Sequence, residues 1–238
     1  MGFGVAAVGS CVVAQWWGIH VPRRYDGGAA RRGGETVASA TSEGGDLMSG
    51  QVQHGAVEGT SDEALRANIE EVARLQGELV AELVGLGTTM SAAMSALPGF
   101  VPCGHAFGVV IEGLAASVSC HDPAHIRELT GAVRARSEHV SDHRGVAQGA
   151  PVDVLATLAV APAGDKAAAT RAQLLVSLQG VAPYAMRAME LGAMSDDVDV
   201  ALANGLAALG RDDFGAAELH AQLARVGEAA RVVLTLGA

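Results

Sequence analysis

The stretch TSDEALRANIEEVARLQGELVAELVGL, residues 60–86, decides the fold class of this chain. Its apolar side chains recur at alternating intervals of four and three residues, with a single polar member. The series is Leu65, Ile69, Val72, Gln76, Leu79, Leu83 and Leu86. A repeat of about 3.5 residues is typical of a helix that packs in a bundle or a coiled coil. We name these seven residues the heptad seam and predict that they mediate association with another helix.

Capping residues predict where this helix and its neighbours begin and end. Thr60 and Glu63 have the spacing of a capping box, which predicts that a helix begins there. Gly85-Leu-Gly87 is predicted to end that helix. The other expected starts are Asp122-Pro123, Asp165, Ser195, Asp212 or Asp213, and first turns at Pro151 and Pro183; Gly210 is an expected end. No run of residues alternates cleanly enough to predict a strand. We therefore predict an all-α bundle of about six to eight helices over residues 61–238, with a possible subdivision near 145–151.

Residues 1–60 differ in kind from the rest, and we expect them to be a disordered or poorly packed extension or tether. Residues 23–60 are rich in Gly and Ser, which is typical of flexible linkers. Residues 1–22 carry no charge and precede Arg23-Arg24, so a membrane anchor is an alternative, although Ser, Gln, His and four Gly weaken such a span. A third interpretation is that translation begins at Met48 rather than at Met1.

Composition and charge exclude several function classes. Fifteen arginines stand against one lysine, Lys166, a bias that indicates a GC-rich bacterial coding sequence. The net charge of −10 argues against nucleic acid as a partner, because that binding depends on clustered Lys and Arg. Three cysteines are too few for a disulfide scaffold, so we expect a cytoplasmic protein.

One cluster of thiol and imidazole side chains offers zinc ligands. Its members are Cys103, His105, Cys120, His121, His139 and His143. If residues 106–119 form a helix, Cys103 and Cys120 lie more than about 20 Å apart and cannot share a metal. If these residues form a hairpin instead, His105 lies opposite Cys120 and a zinc site becomes possible. His139 and His143 are four residues apart, so one helical face can present both.

The motifs that usually mark an enzyme are absent from the sequence. It contains no G-x-S-x-G nucleophile elbow, no phosphate-binding G-x-x-x-x-G-K loop and no Glu-x-x-His pair of a di-iron bundle. We therefore expect a non-enzymatic helical interaction protein that self-associates or binds another helical protein. A zinc-binding protein and a membrane-anchored or exported helical protein are the alternatives.

Overall fold

The computed structural model describes residues 57–97 and 104–236 of the chain. Within these ranges all regular structure is helical, which confirms the all-α fold class. The seven helices are α1 (Val57–Ala96), α2 (Gly104–Ser119), α3 (Pro123–Arg144), α4 (Val154–Val160), α5 (Lys166–Glu190), α6 (Asp196–Leu209) and α7 (Ala216–Leu236). The chain divides into two units, Met1–Glu63 and Ala64–Ala238. Of the first unit, only the start of α1 is described. The predictions for residues 1–56, including the anchor and the start at Met48, lie outside the described residues.

The second half of α1 is the central helix of the larger unit. Its side chains are buried on every side of the helix: Leu79, Val80, Leu83, Val84, Leu86, Met90 and Ala93 are each at most 2% exposed. A helix that is apolar all round is stable in water only when neighbours surround it. This burial explains why Asp62–Ala96 is long and apolar enough to cross a membrane, since 61% of its most apolar window lies inside the structure.

Helices α2 and α3 pack on α1 as an antiparallel pair. Leu83 of α1 lies against Gly113 of α2, where an added Cβ would be 3.1 Å from the leucine Cδ2. Helix α3 runs parallel to α1, and its Arg134 donates to the carboxylate of Glu82 at 2.9 Å from Nε and 2.5 Å from Nη2. The Glu82 side chain is only 11% exposed, so this ion pair joins the two helices at the edge of the core.

Helix α6 also packs on α1 and runs antiparallel to it. The two backbones come very close at Gly87, where an added Cβ would lie 2.4 Å from Leu206 Cβ and 3.0 Å from the Ala207 nitrogen. One turn further along, Ser91 Oγ is 2.9 Å from Asn204 Oδ1. Gly85 and Gly87 thus lie inside a continuous helix, and the prediction that they end it is wrong. Their role is to let other backbone segments approach.

Helices α5 and α7 both pack on α6 and complete the bundle. Gly205 of α6 lies between them, with Val226 Cγ2 of α7 and Leu178 Cδ2 of α5 within 3.0 and 3.1 Å of an added Cβ. Helices α5 and α7 run parallel and pack directly on each other, and α6 runs antiparallel to both and contacts both. Residues 64–238 form one unit, and within it the connection at 145–153 is held against α1.

The predicted helix ends are partly confirmed. Asp122 and Asp165 are N-caps whose carboxylates accept backbone N–H bonds at 2.9 and 2.8 Å, and α6 begins after Ser195 and ends before Gly210. Four predictions are wrong. Thr60 lies inside α1, Pro151 precedes α4, Pro183 lies within α5, and α7 begins at Ala216 rather than after Asp212 or Asp213.

Each error has a local physical reason. Nothing between Val57 and Thr60 stops a helix, because a single Gly costs only about 1 kcal/mol. Pro183 is exposed, so water can satisfy the carbonyl that loses its helical partner. Asp153, not Pro151, caps α4 through a bond from the Ala156 N–H. Asp213 accepts from Arg211 at 2.7 Å instead of capping α7.

Candidate interaction surface and the predicted metal ligands

The heptad seam divides into two parts with different surroundings. Val72, Leu79, Leu83 and Leu86 are at most 8% exposed and belong to the core of this chain. Gln76 lies at the end of the bundle, where its Nε2 donates to the Cys120 carbonyl oxygen at 2.9 Å. Leu65 and Ile69, at the N-terminal end of the seam, are 58% and 54% exposed. Only these last two side chains remain available to another molecule.

Leu65 and Ile69 begin a line of residues at intervals of four that we name the α1 stripe. It comprises Leu65, Ile69, Ala73 and Gly77, which share one face of the helix. The stripe therefore has two large apolar residues followed by two small ones. At its small end Leu155 of α4 lies beside Gly77, with Cδ1 3.7 Å from an added Cβ, and Leu155 is itself 40% exposed.

A line of alternating charges runs next to the α1 stripe. It comprises Arg66, Glu70, Arg74 and Glu78, again at intervals of four. Arg74 forms ion pairs with Glu78 and, at 2.9 Å, with Glu71. Neither Arg66 nor Glu70 has an ion-pair partner among the residues of 62–97 and 107–235. On the other side of the stripe lie uncharged residues, namely Ala64, Asn68, Val72 and Gln76.

Glu71 fixes this part of α1 to α3. Its Oε1 accepts from Arg74 at 2.9 Å and from Arg127 of α3 at 2.6 Å. The hydrogen bond from Arg74, followed by that from Arg127, lowers the pKa of the Glu71 carboxyl below its ordinary value. These side chains are partly exposed to water, so their main effect is to hold the helix in position rather than to stabilise the fold strongly.

The structure separates the members of the predicted zinc cluster that it describes. Residues 106–119 lie in helix α2, not in a hairpin. Because α2 has 16 residues and is about 24 Å long, His105 in its first turn and Cys120 after its last turn lie at opposite ends. His121 is exposed beside Cys120. Cys103 lies outside the described residues.

His139 and His143 are the two predicted ligands that come together. Both are exposed on α3, and their ring centroids are 4.0 Å apart with the rings tilted by 35°. A structural zinc site requires four ligands. In the part of the chain that the structure describes, no third Cys, His, Asp or Glu joins them to form a metal-binding group.

A buried hydroxyl at Thr89 joins three segments, and no local sequence pattern predicts it. Thr89 Oγ1 donates to the Gly85 carbonyl at 3.0 Å and accepts the Gly149 N–H at 2.8 Å. Its remaining lone pair accepts from Ser137 Oγ of α3 at 2.9 Å. Gly149 packs so tightly here that an added Cβ would lie 2.3 Å from the Gly85 oxygen. All the hydrogen-bonding capacity of the Thr89 hydroxyl is used, so this cluster stabilises the fold and offers no reactive group.

Asp199 is a buried carboxyl in the first turns of α6. It is 5% exposed, and its Oδ1 has no hydrogen-bond partner within the described residues. Burial, with a further contribution from the charge of Asp196, raises its pKa to about 7. The sequence spacing indicates that Asp199 lies on the buried face of α6, because it precedes the buried Leu202 by three residues and the buried Leu206 by seven.

The comparisons with known proteins add no family to this picture. No protein-family model matches the chain, and no curated protein matches it in sequence.

Proposed function

We propose that this protein is a non-enzymatic helical interaction protein that associates with a second copy of itself through the projecting end of α1. One observation carries the proposal: Leu65 and Ile69 are more than half exposed on the heptad seam, whose later members are buried. A seam that continues past the edge of its own bundle has the pattern that helix pairing requires. Another helical protein of complementary pattern is the other partner that this surface fits.

The test is the oligomeric state of the full chain when the exposed part of the seam becomes polar. We expect sedimentation analysis to show a reversible dimer for the unchanged chain and a monomer for Leu65→Gln/Ile69→Gln. About half of each Leu65 and Ile69 side chain is exposed, so burial of that half contributes about 1 kcal/mol to the free energy of association. The four side chains of a dimer together contribute about 4 kcal/mol. That loss corresponds to a roughly thousandfold weaker dimer.

The matched control is Leu191→Gln, because Leu191 is 53% exposed at the opposite end of the bundle, after α5. This variant is expected to dimerise like the unchanged chain. Leu79 and Leu83 do not serve this purpose, since both are fully buried and polar substitution would unfold the chain. An unchanged chain that stays monomeric at the highest soluble concentration would refute the proposal.

A second candidate function is zinc binding at the His139–His143 pair. The closeness of the two imidazoles, 4.0 Å between centroids, favours it. Further ligands would have to come from residues outside the described ranges or from a second molecule. The test is metal analysis of purified protein, with His139→Ala/His143→Ala compared with His121→Ala. Protein free of metal, with thermal stability unchanged by chelator, would exclude this function.

A further inference from the structure

The α1 stripe and the charged line beside it have a pattern that is complementary to itself when one copy is reversed. We propose that two copies pair their α1 helices antiparallel, about a twofold axis level with Glu71, so that Leu65 and Ile69 of each copy pack on Gly77 and Ala73 of the other. This inference rests on the self-association proposed above. It goes further by fixing the orientation and the register of the pair.

The order of side-chain sizes supports this orientation. In an antiparallel pair centred on Glu71, Leu65 is level with Gly77 of the second copy, and Ile69 is level with Ala73. Each large side chain thus meets a small one, which allows the helices to approach closely. In a parallel pair the two leucines would meet each other, and the two glycines would leave a gap. A twofold contact of this kind uses the same surface on both copies and closes without further addition.

The charges support the same register. Residues of one line face the same line of the other helix in an antiparallel pair. Arg66 is then level with Gln76 of the second copy and lies two residues, about 3 Å along the axis, from both Arg74 and Glu78 of that copy. Because side chains on a helix lean toward its N-terminus, Arg66 and Glu78 lean toward each other, whereas Arg66 and Arg74 lean apart. Glu70 lies at the same offset from Arg74 of the second copy, and the twofold axis repeats both pairs. With this lean, each charge of the line is directed toward one of opposite sign, whereas a parallel twofold pair would place each charged line against the uncharged line of the other copy.

The space beside Gly77 admits a side-chain carbon. Around Gly77, the Leu155 side chain is the one group of the described residues that comes within 4 Å of an added Cβ, and at 3.7 Å it makes an ordinary contact. Leu65 of the second copy would enter beside Leu155, which is still 40% exposed. The surface is narrow, and interfaces of less than about 1,200 Å² belong to weak and transient contacts. A reversible rather than a permanent dimer is the expected result.

A charge exchange in the full chain tests the register. Arg66→Glu and Glu78→Arg are each expected to weaken the dimer by at least about fivefold, because each places like charges together twice. The double variant Arg66→Glu/Glu78→Arg restores opposite signs and is expected to recover the original dissociation constant. Thermal unfolding of all three variants checks that the fold persists.

A size change provides an independent test. Gly77→Leu fills the gap that Leu65 of the second copy needs, so it is expected to weaken the dimer by at least about tenfold. Gly131→Leu in α3 is the matched control, since an added Cβ there meets nothing within 4 Å. If the unchanged chain dimerises but the double charge variant dimerises more weakly than either single variant, the proposed register is wrong. The proposed self-association would still stand in that case. Absence of any dimer would overturn the proposed function as well, and a monomer that binds a different helical protein would identify another occupant.

Discussion

Replacement of Asp199 by Asn is expected to stabilise this protein and to remove part of its pH dependence. The carboxyl is 5% exposed, one of its oxygens lacks a hydrogen bond within the described residues, and Asp196 lies close enough to disfavour its charge. These surroundings raise its pKa from 3.8 to about 7. The unfolded chain has the ordinary value, so the folded state holds the proton more tightly.

The sign of the effect follows from this difference. Below about pH 4 the carboxyl is neutral in both states, and its burial carries no charge penalty. As the pH rises towards 7, the unfolded state ionises first, so the free energy of unfolding falls by about 1.4 kcal/mol per pH unit. The total loss is about 4 kcal/mol, and it is complete above the folded pKa. Relaxation around the charge would reduce this figure.

The measurement is urea unfolding of the unchanged chain and Asp199→Asn between about pH 5 and pH 8. Asn is almost the same size and stays neutral, so the stability difference between the two chains should grow by about 3 kcal/mol over this range. Taking the difference removes the opposite trend of Glu71 and Asp213, whose pKa values are lowered by Arg74 and Arg211. Asp197→Asn, at an exposed position of the same helix, is the control. A difference that does not change with pH would refute the reasoning.

Three further predictions concern a buried hydroxyl and two helical glycines. Thr89→Val keeps the shape of the side chain but leaves the Gly149 N–H without its acceptor, so the free energy of unfolding should fall by about 1–3 kcal/mol. The control is Thr157→Val at an exposed position. An equal loss of stability in the control would contradict this prediction. Gly87→Ala should lower the unfolding temperature, because its Cβ would lie 2.4 Å from Leu206 Cβ and force α1 and α6 apart. Gly131→Ala, which meets nothing within 4 Å, should instead be stabilising by up to about 1 kcal/mol, as calorimetry can show.

The all-α class and the approximate number of helices could be predicted because both depend on local patterns. The heptad spacing, Asp122 before Pro123 and Asp165 before an Ala-rich run act within a few residues of themselves. The errors occur where distant residues decide. Gly87 resembles a helix end by its local propensity, yet contact with Leu206 explains why it is glycine. Thr89 has partners 48 and 60 residues away, so no local pattern reveals that its hydroxyl is buried and satisfied.

The candidate site was only half predictable for a related reason. A heptad spacing shows that a helix has one apolar face, but it does not show whether the helix covering that face belongs to the same chain. In this fold α2 ends at Ser119, and the Cys120 carbonyl accepts from Gln76 at that level. Toward the N-terminus from Gln76, Val72 is the last seam residue that the bundle covers, and Ile69 and Leu65 are exposed.

The exposed N-terminal part of α1 is too short to be stable as a helix by itself. From Ala64 to Glu70 every residue is exposed, a length of about 9 Å. Isolated helices shorter than about 12–15 residues are marginal in water, so this segment depends on the buried part of α1 for its helical form. Exposure of Leu65 and Ile69 there loses the free energy that their burial would contribute, and the reversed second copy that we propose would cover both side chains. The boundary between Ile69 and Val72 therefore separates the part of the seam that builds the bundle from the part that we propose joins two bundles.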